Sequence, residues 1–300
     1  QPRSRGLGDV YKRQVSVVLN VFRRSKHFPE QLRAIQNQSV APKEILVWEN
    51  GEQEIPQDLR EFVILTRASK NFGVWARFAH ALNAGSEFVC VIDDDTIPGR
   101  DWLKNCLSTM EATPGLLGTR GLIFESSKNY SINQEYGVYG SNDLTTQVDI
   151  VGHSWFFRRE WLAAYWSEYA DRFDSPLAGE DIHFSFAIQK HLGLPTLVPP
   201  HRASHPEEWG SDPRRAREIG EEAVAISKGA KAMEIFEKAL QHYRKLGFKT
   251  IVESEGSRIV TLSRFPKWIY WWATRFPGLS HRLGAIGLVQ SILRALSRSK

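Results

Sequence analysis

An α/β fold is predicted: an open, mostly parallel sheet flanked by helices, with a helical C-terminal appendage. Three observations carry this prediction. Two runs, Val15-Ser16-Val17-Val18-Leu19-Asn20-Val21 and Phe88-Val89-Cys90-Val91-Ile92, are almost entirely apolar or β-branched, as expected of strands buried on both faces beneath helices. Around them strand and helix patterns alternate, the order that right-handed crossovers build into a parallel sheet. The second run ends in Asp93-Asp94-Asp95, at the strand end where open α/β sheets bind ligands.

Taken in order, residues 15–21 form the first strand and run into a polar loop, Phe22-Arg23-Arg24-Ser25-Lys26. A helical segment follows with Phe28, Leu32 and Ile35 on one face. Pro42 breaks the chain before a second strand, Glu44-Ile45-Leu46-Val47-Trp48, which ends in the turn signature Glu49-Asn50-Gly51. Phe62-Val63-Ile64-Leu65 reads as a third strand, and residues 73–84 have helical spacing through Val74, Phe78, Ala81 and Leu82. After the acidic triplet, Asp101 to Met110 reads as a helix with Trp102, Leu103, Cys106, Leu107 and Met110 inward. Residues 116–124 read as a strand and 125–147 as a long loop rich in Ser, Asn, Tyr and Gly. A strand over 148–157, a helix opening at Gly179-Glu180-Asp181 with Ile182, Phe186 and Ile188 to Leu192 inward, and a last strand Thr196-Leu197-Val198 complete the pattern. Residues 228–248 are predicted to be an amphipathic helix carrying Met233, Phe236, Leu240 and Tyr243 on one face.

The composition is that of an ordinary soluble globular protein. Two cysteines, Cys90 and Cys106, give no disulfide framework. The absence of such a framework makes a cytoplasmic location the expectation, and no run approaches the roughly 18 apolar residues of a membrane-spanning helix. Residues 1–14 lack periodicity and read as a non-native leader. The net charge of +5 is uneven: residues 257–300 hold eight Lys/Arg and no Asp/Glu. With the leader at +3, the body over 15–256 stands at −6, which argues against a nucleic-acid partner.

Three adjacent carboxylates repel one another unless a cation lies between them. Hard oxygen ligands of this kind suit Mg²⁺ or Mn²⁺ carrying a phosphate. The alternative is an acidic turn that caps the following helix.

With these motifs placed, residues 15–205 resemble the family 2 glycosyltransferases, which have the GT-A fold. The resemblance rests on the order of the opening strand, Glu49-Asn50-Gly51, Asn71-Phe72-Gly73 with Arg77, Ile92-Asp93-Asp94-Asp95, Gly152 followed by Arg158-Arg159, and Gly179-Glu180-Asp181. It implies a GT-A catalytic domain over 15–210 and a packed helical extension over 211–256. It further implies a metal-assisted sugar transfer, of hexosyltransferase type, from a nucleotide-sugar donor to a glycan or lipid-linked acceptor; the absence of a Gln-x-x-Arg-Trp motif argues for transfer of a single sugar. Asp95 would ligate the divalent metal, Mn²⁺ or Mg²⁺, on the leaving diphosphate, Asp93 would reach the metal or the ribose, and Asp94 would face the ribose. Glu49 would contact the base or ribose, with a turn role as its alternative. Arg77 would meet the diphosphate or base, or else lie on the helix surface. Asp181 would be the general base of an inverting reaction, with Glu180 orienting the site or binding the acceptor. His201, beyond the last strand, is the candidate third metal ligand, ahead of His205.

Two departures from the family pattern bear on the nucleotide. Asn20, a candidate nucleotide contact, takes the position usually held by Pro at the end of the first strand, and Arg23 takes that of an Asn. A sugar-nucleotide nucleotidyltransferase is an alternative function, although no Gly-rich loop follows the first strand; a non-catalytic carbohydrate-binding or membrane-scaffold protein is another. Residues 257–300 set Phe265, Trp268, Trp271 and Trp272 among Arg264, Lys267 and Arg275. This basic, aromatic, amphipathic tail suits peripheral attachment to the cytoplasmic face of an anionic membrane; core packing or a dimer contact is the alternative.

Overall fold

A computed structural model describes residues 14–51, 53–126, 128–220 and 232–254. The contacts divide the chain into one unit over 1–258 and another over 259–300, and all described residues belong to the first. The expected basic tail lies outside the described residues.

The described strands form one nine-stranded sheet. Its first half comprises β1 (Val15–Val21), β2 (Glu44–Glu49), β3 (Ile64–Arg67) and β4 (Phe88–Ile92), in the spatial order β3-β2-β1-β4 with every pairing parallel. Every residue of β1 and β4 is buried, which is why neither run alternates polar with apolar residues. From β1 the chain moves outward to β2 and β3, then returns to place β4 on the other side of β1. The ends of β1 and β4 therefore flank the crevice where the direction of winding reverses, the usual ligand position of such sheets.

The second half is mixed. β5 (Leu116–Phe124) and β8 (Ile150–Arg158) run antiparallel to each other, and β8 runs antiparallel to β4. β9 (Thr196–Val198) pairs parallel with β5 and antiparallel with β7 (Thr146–Val148), while β6 (Ile132–Gly137) hangs off β5. The long loop expected over 125–147 thus contains two short strands. β6 is mostly half-exposed and its sequence, INQEYG, offers no apolar alternation, so its pairing with β5 left no pattern to read.

The helices are α1 (Phe28–Gln36), α2 (Ala76–His80), α3 (Trp102–Ala112), α4 (Leu162–Ser167), α5 (Glu180–Leu192), α6 (Pro213–Gly220), α7 (Ala232–Lys245) and α8 (Ile251–Ser254). Phe28, Leu32 and Ile35 of α1 are buried, as their spacing predicts. Leu82, Leu192 and Met233 are exposed where apolar periodicity placed them inward. Leu82 sits in the tight turn over Ala81–Asn83 that ends α2 early, and Leu192 is the last residue of α5 before Gly193.

α5 is held from behind. Ile182 and Phe186 share a core cluster with Leu122 and Phe124 of β5, Ile150 of β8, and Ala239, Leu240 and Tyr243 of α7. Each fully buried large side chain of this kind contributes roughly 1.5–3 kcal/mol. The Tyr243 hydroxyl adds polar anchors: it accepts the Phe173 N–H at 2.9 Å and lies 3.1 Å from His183 Nδ1. α7 thereby braces the helix whose first turn carries Glu180 and Asp181.

Candidate active site

Asp93, Asp94 and Asp95 follow directly on β4 and face the loop leaving β1. Asp94 Oδ2 accepts the Phe22 N–H at 3.2 Å, and Arg24 Nη1 donates to Asp94 Oδ1 at 2.7 Å and to Asp95 Oδ2 at 3.2 Å. Asp94 is therefore tied to the protein, where a ribose contact was expected. The sequence showed Arg24 only as part of a polar loop; the adjacency of β1 and β4 brings it to Asp94, 70 residues away in sequence.

Arg77, on α2, is the centre of the arrangement. Its Nη1 lies 3.2 Å from Asp93 Oδ1 and its Nη2 lies 2.6 Å from Glu180 Oε1. The guanidinium also lies over the Trp155 ring at 4.6 Å from its centroid. Burial opposes the charge on Arg77, but Asp93 and Glu180 outweigh it and hold its pKa above the ordinary range. One buried fork thus joins the acidic triplet to the Glu180-Asp181 pair, 87 positions apart in sequence. Both ends of the fork are engaged by carboxylates and Arg77 is buried, where a diphosphate or base contact, or else a place on the helix surface, was expected.

Gly179 opens α5 in the left-handed region (φ 107°), which turns Glu180 and Asp181 toward Arg77. The preceding loop is pinned in turn. Val74 donates its N–H to Pro176 O at 3.0 Å and Trp75 Nε1 donates to Ser175 O at 2.7 Å. Gly73 (φ 76°) faces Pro176 so closely that a Cβ would meet Pro176 O at 2.3 Å. Gly73→Ala is expected to lose at least about 1–3 kcal/mol through the strained φ and the clash. Urea unfolding checks this, and an unchanged midpoint contradicts the packing described.

Burial raises the pKa values of Asp93, Asp94, Glu180 and Asp181. Asp93 is pushed up to about 8, with Asp95, Asp94 and Glu180 adding to the rise and Arg77 opposing it. Asp94 is pushed up to about 6 by burial and by Asp95, against Arg24. Glu180 is pushed up to about 7 by burial and Asp181, against Arg77. Asp181 is pushed up to about 6 by burial, while the Ile182 N–H on its Oδ1 at 2.7 Å and the charge of Arg77 oppose the rise. Five carboxylates face two arginines here, leaving an excess of negative charge.

No group of three or more His, Cys, Asp or Glu side chains among the described residues forms a ready-made metal cage. A divalent ion that keeps phosphate and water oxygens needs only one or two protein carboxylates. Asp93 and Asp95, with 25 % and 18 % of their side chains exposed, fit that requirement, and the excess negative charge favours it.

The other residues expected at the site are His201, Glu49, Asn20 and His205. His201 is fully buried between the rings of Trp102 and Trp209. Its Nδ1 donates to Pro199 O at 2.8 Å and its Nε2 accepts the Gly210 N–H at 3.1 Å. Both ring nitrogens are thus used within the protein, which removes His201 from the metal set; burial holds its pKa down at about 4. Glu49 is buried at the end of β2, with Oε1 accepting the Ile55 N–H at 2.6 Å and Oε2 accepting from Arg67 Nε at 2.7 Å. It organises its turn, the alternative left open by the sequence. Asn20 lies largely buried near the end of β1, opposite Trp48. His205 is in the exposed loop, with Nδ1 2.8 Å from Ser204 Oγ.

Besides Arg24, one further residue at the site was not expected from the sequence. His153 has φ 64°, and its Nδ1 lies 3.7 Å from Asp95 Oδ1 and 3.4 Å from Thr96 Oγ1. Only its position after Gly152 in an apolar strand could have drawn attention to it; the irregularity that turns it is not legible in sequence.

A family model described as glycosyl transferase family 2 matches residues 16–166, just over half of the chain. The chain belongs to glycosyltransferase family 2. The matched span of this family 2 chain ends before Glu180, so the match itself covers the triplet and not the pair. A search of curated proteins returns no match. Among solved structures, S. aureus TarS 1–349 in complex with UDP-GlcNAc aligns with TM-score 0.45 at 17 % identity, over 63 % of this chain and 57 % of that one. A second structure of S. aureus TarS 1–349 aligns with TM-score 0.43 at 18 % identity, over 85 % of this chain and 78 % of that one. The family 2 chain thus spans little more than half the length of the first of these.

No helix among the described residues of this family 2 chain is long and apolar enough to cross a membrane.

Proposed function

We propose that this family 2 glycosyltransferase moves a single sugar from a nucleotide-sugar donor to a glycan or lipid-linked acceptor, with inversion at the transferred carbon. The observation that carries this reading is the Arg77 fork, which unites Asp93 with Glu180. A leaving-group site and a base site then share one crevice, as a displacement between two substrates requires.

Asp93 and Asp95 would hold Mn²⁺ or Mg²⁺. When bound, that cation supplies Lewis-acid neutralisation of the departing diphosphate. Asp181 takes the proton of the acceptor hydroxyl as its oxygen attacks, which requires the ionised carboxylate. Glu180, fixed by Arg77, orients the acceptor side. Arg24 holds Asp94 and Asp95 in place and brings positive charge beside the incoming phosphates.

A donor-hydrolysis screen of UDP-, GDP- and dTDP-sugars with Mn²⁺ or Mg²⁺ tests this function. One donor class is expected to turn over, and Asp95→Ala is expected to lose at least about 100-fold, a displaced-ligand effect of the size seen for loss of one site group. Full activity of Asp95→Ala, or no turnover of any donor, would sink the proposal.

A further inference from the structure

The Arg77 fork has a third donor. Nη1 faces Asp93 and Nη2 donates to Glu180, while Nε is buried and has no hydrogen-bond partner among the described residues. A second buried group close by shares that condition: the hydroxyl of Tyr165, on α4. Folded interiors leave few such groups unpaired, because each has given up its hydration and gained nothing in return. Two of them beside one ion pair call for an explanation.

The Tyr165 ring is not free to turn its hydroxyl elsewhere. Its centroid lies 4.9 Å from that of Phe78, and it meets Phe184 at 4.9 Å and His183 at 4.6 Å edge-on. His183 Nε2 donates to Tyr165 O at 2.8 Å, which pins α4 to α5. The same Phe78 ring lies 5.5 Å from the Arg77 guanidinium, which Trp155 covers from another side. Phenol and guanidinium therefore pack against one aromatic ring. Their electrostatics agree with this placement. Burial raises the Tyr165 pKa most, Glu180 adds to the rise and Arg77 opposes it. Burial lowers the Arg77 pKa, and Tyr165 follows Asp93 and Glu180 among the groups that raise it. The hydroxyl thus lies beside the Arg77–Glu180 pair without bonding directly to either.

Nε–H and the phenolic O–H are both donors, and two donors meet best at a shared acceptor. We infer that one buried water bridges Arg77 Nε and the Tyr165 hydroxyl, and that Tyr165 acts through it as a positioning residue for the Glu180-Asp181 pair. The water oxygen accepts both hydrogens, and its own hydrogens go to the Glu180 carboxylate. Three polar partners are what an internal water ordinarily has. Held at Nε as well as at its two ends, the guanidinium cannot swing away from Glu180. Glu180 then keeps the first turn of α5 where Asp181 can reach the acceptor hydroxyl. The positioning role rests on the function proposed above; the water site does not.

Tyr165→Phe keeps the ring and removes only the hydroxyl, and the sign of its effect on stability is decisive. Deleting a buried hydroxyl that has no partner leaves stability level or raises it, whereas deleting one that holds a bridging water strands the groups it served. The variant is therefore expected to unfold at lower urea than wild type. With Mn²⁺ present, it is expected to bind whichever of UDP, GDP and dTDP wild type binds within about twofold, yet to lose about tenfold or more in kcat. A high-resolution crystal structure of the wild-type chain is expected to show a water about 2.7–3.2 Å from both Arg77 Nε and the Tyr165 hydroxyl. No ordered water there, or a Tyr165→Phe urea midpoint at or above that of wild type, overturns the water site. An unchanged kcat, or a kcat that falls only in step with diphosphate affinity, overturns the positioning role. A wild type that turns over no donor overturns the proposed function and the positioning role with it, while the crystal structure and the urea midpoint still decide the water.

Discussion

Asp181→Asn is expected to bind nucleotide sugar as wild type does and to lose about 10²–10⁴-fold in kcat, the range for removing a general base. Asparagine keeps the shape and the Ile182 N–H contact but cannot accept the acceptor's proton. The pH profile gives an independent check. Asp181 works only when ionised, and burial has pushed its pKa up to about 6. The wild-type rate should therefore rise with pH through about 6 and level off above it, while the residual rate of Asp181→Asn should lack that limb. Transfer at the wild-type rate by Asp181→Asn would remove the base from this position.

Arg77→Met is expected to weaken both stability and chemistry. Removing one partner from a buried ion pair typically costs about 3–5 kcal/mol, because the remaining charge is left uncompensated. Here two carboxylates, Asp93 and Glu180, lose their shared cation. The sign of the pH effect follows from linkage. Asp93 and Glu180 are pushed up to about 8 and about 7 in the folded chain, above their unfolded values near 4. Between those limits the folded state binds more protons than the unfolded one, so stability falls as pH rises from about 4 to about 8. Arg77 opposes the rise of both groups and of Asp181. Without it the decline should steepen, and the limb of the rate profile should move to higher pH. Urea unfolding at pH 5 and pH 8 is expected to show the variant's deficit mainly at pH 8; an equal deficit at both would contradict the charge argument.

Much of this architecture was legible in the chain. The buried runs 15–21 and 88–92 announce strands covered on both faces, and Leu116–Phe124 and Thr196–Val198 fall where their apolar residues put them. The carboxylates were legible too, because clustered acids at the end of so apolar a strand demand a cation. What the sequence hid were partners brought together by topology. Arg24 reaches Asp94 only because β1 and β4 are neighbours, and Arg77 reaches Glu180 only because Gly73 abuts Pro176. His201 carried the right chemistry for a ligand, but burial between two tryptophans turned both its nitrogens inward. Glu49 was captured the same way by Ile55 and Arg67. His153 was invisible because one extra residue in β8, which leaves no compositional trace, redirects it.

The central claim is that two distant carboxylate groups, joined by Arg77, form one crevice with separate duties. Titrating the nucleoside diphosphate of the preferred donor with and without Mn²⁺ tests it most directly, in wild type, Asp95→Ala and Asp181→Asn. The account predicts metal-dependent binding by wild type and Asp181→Asn, and loss of that dependence in Asp95→Ala. Binding by wild type that is indifferent to metal, or loss of binding in Asp181→Asn equal to that in Asp95→Ala, would contradict it.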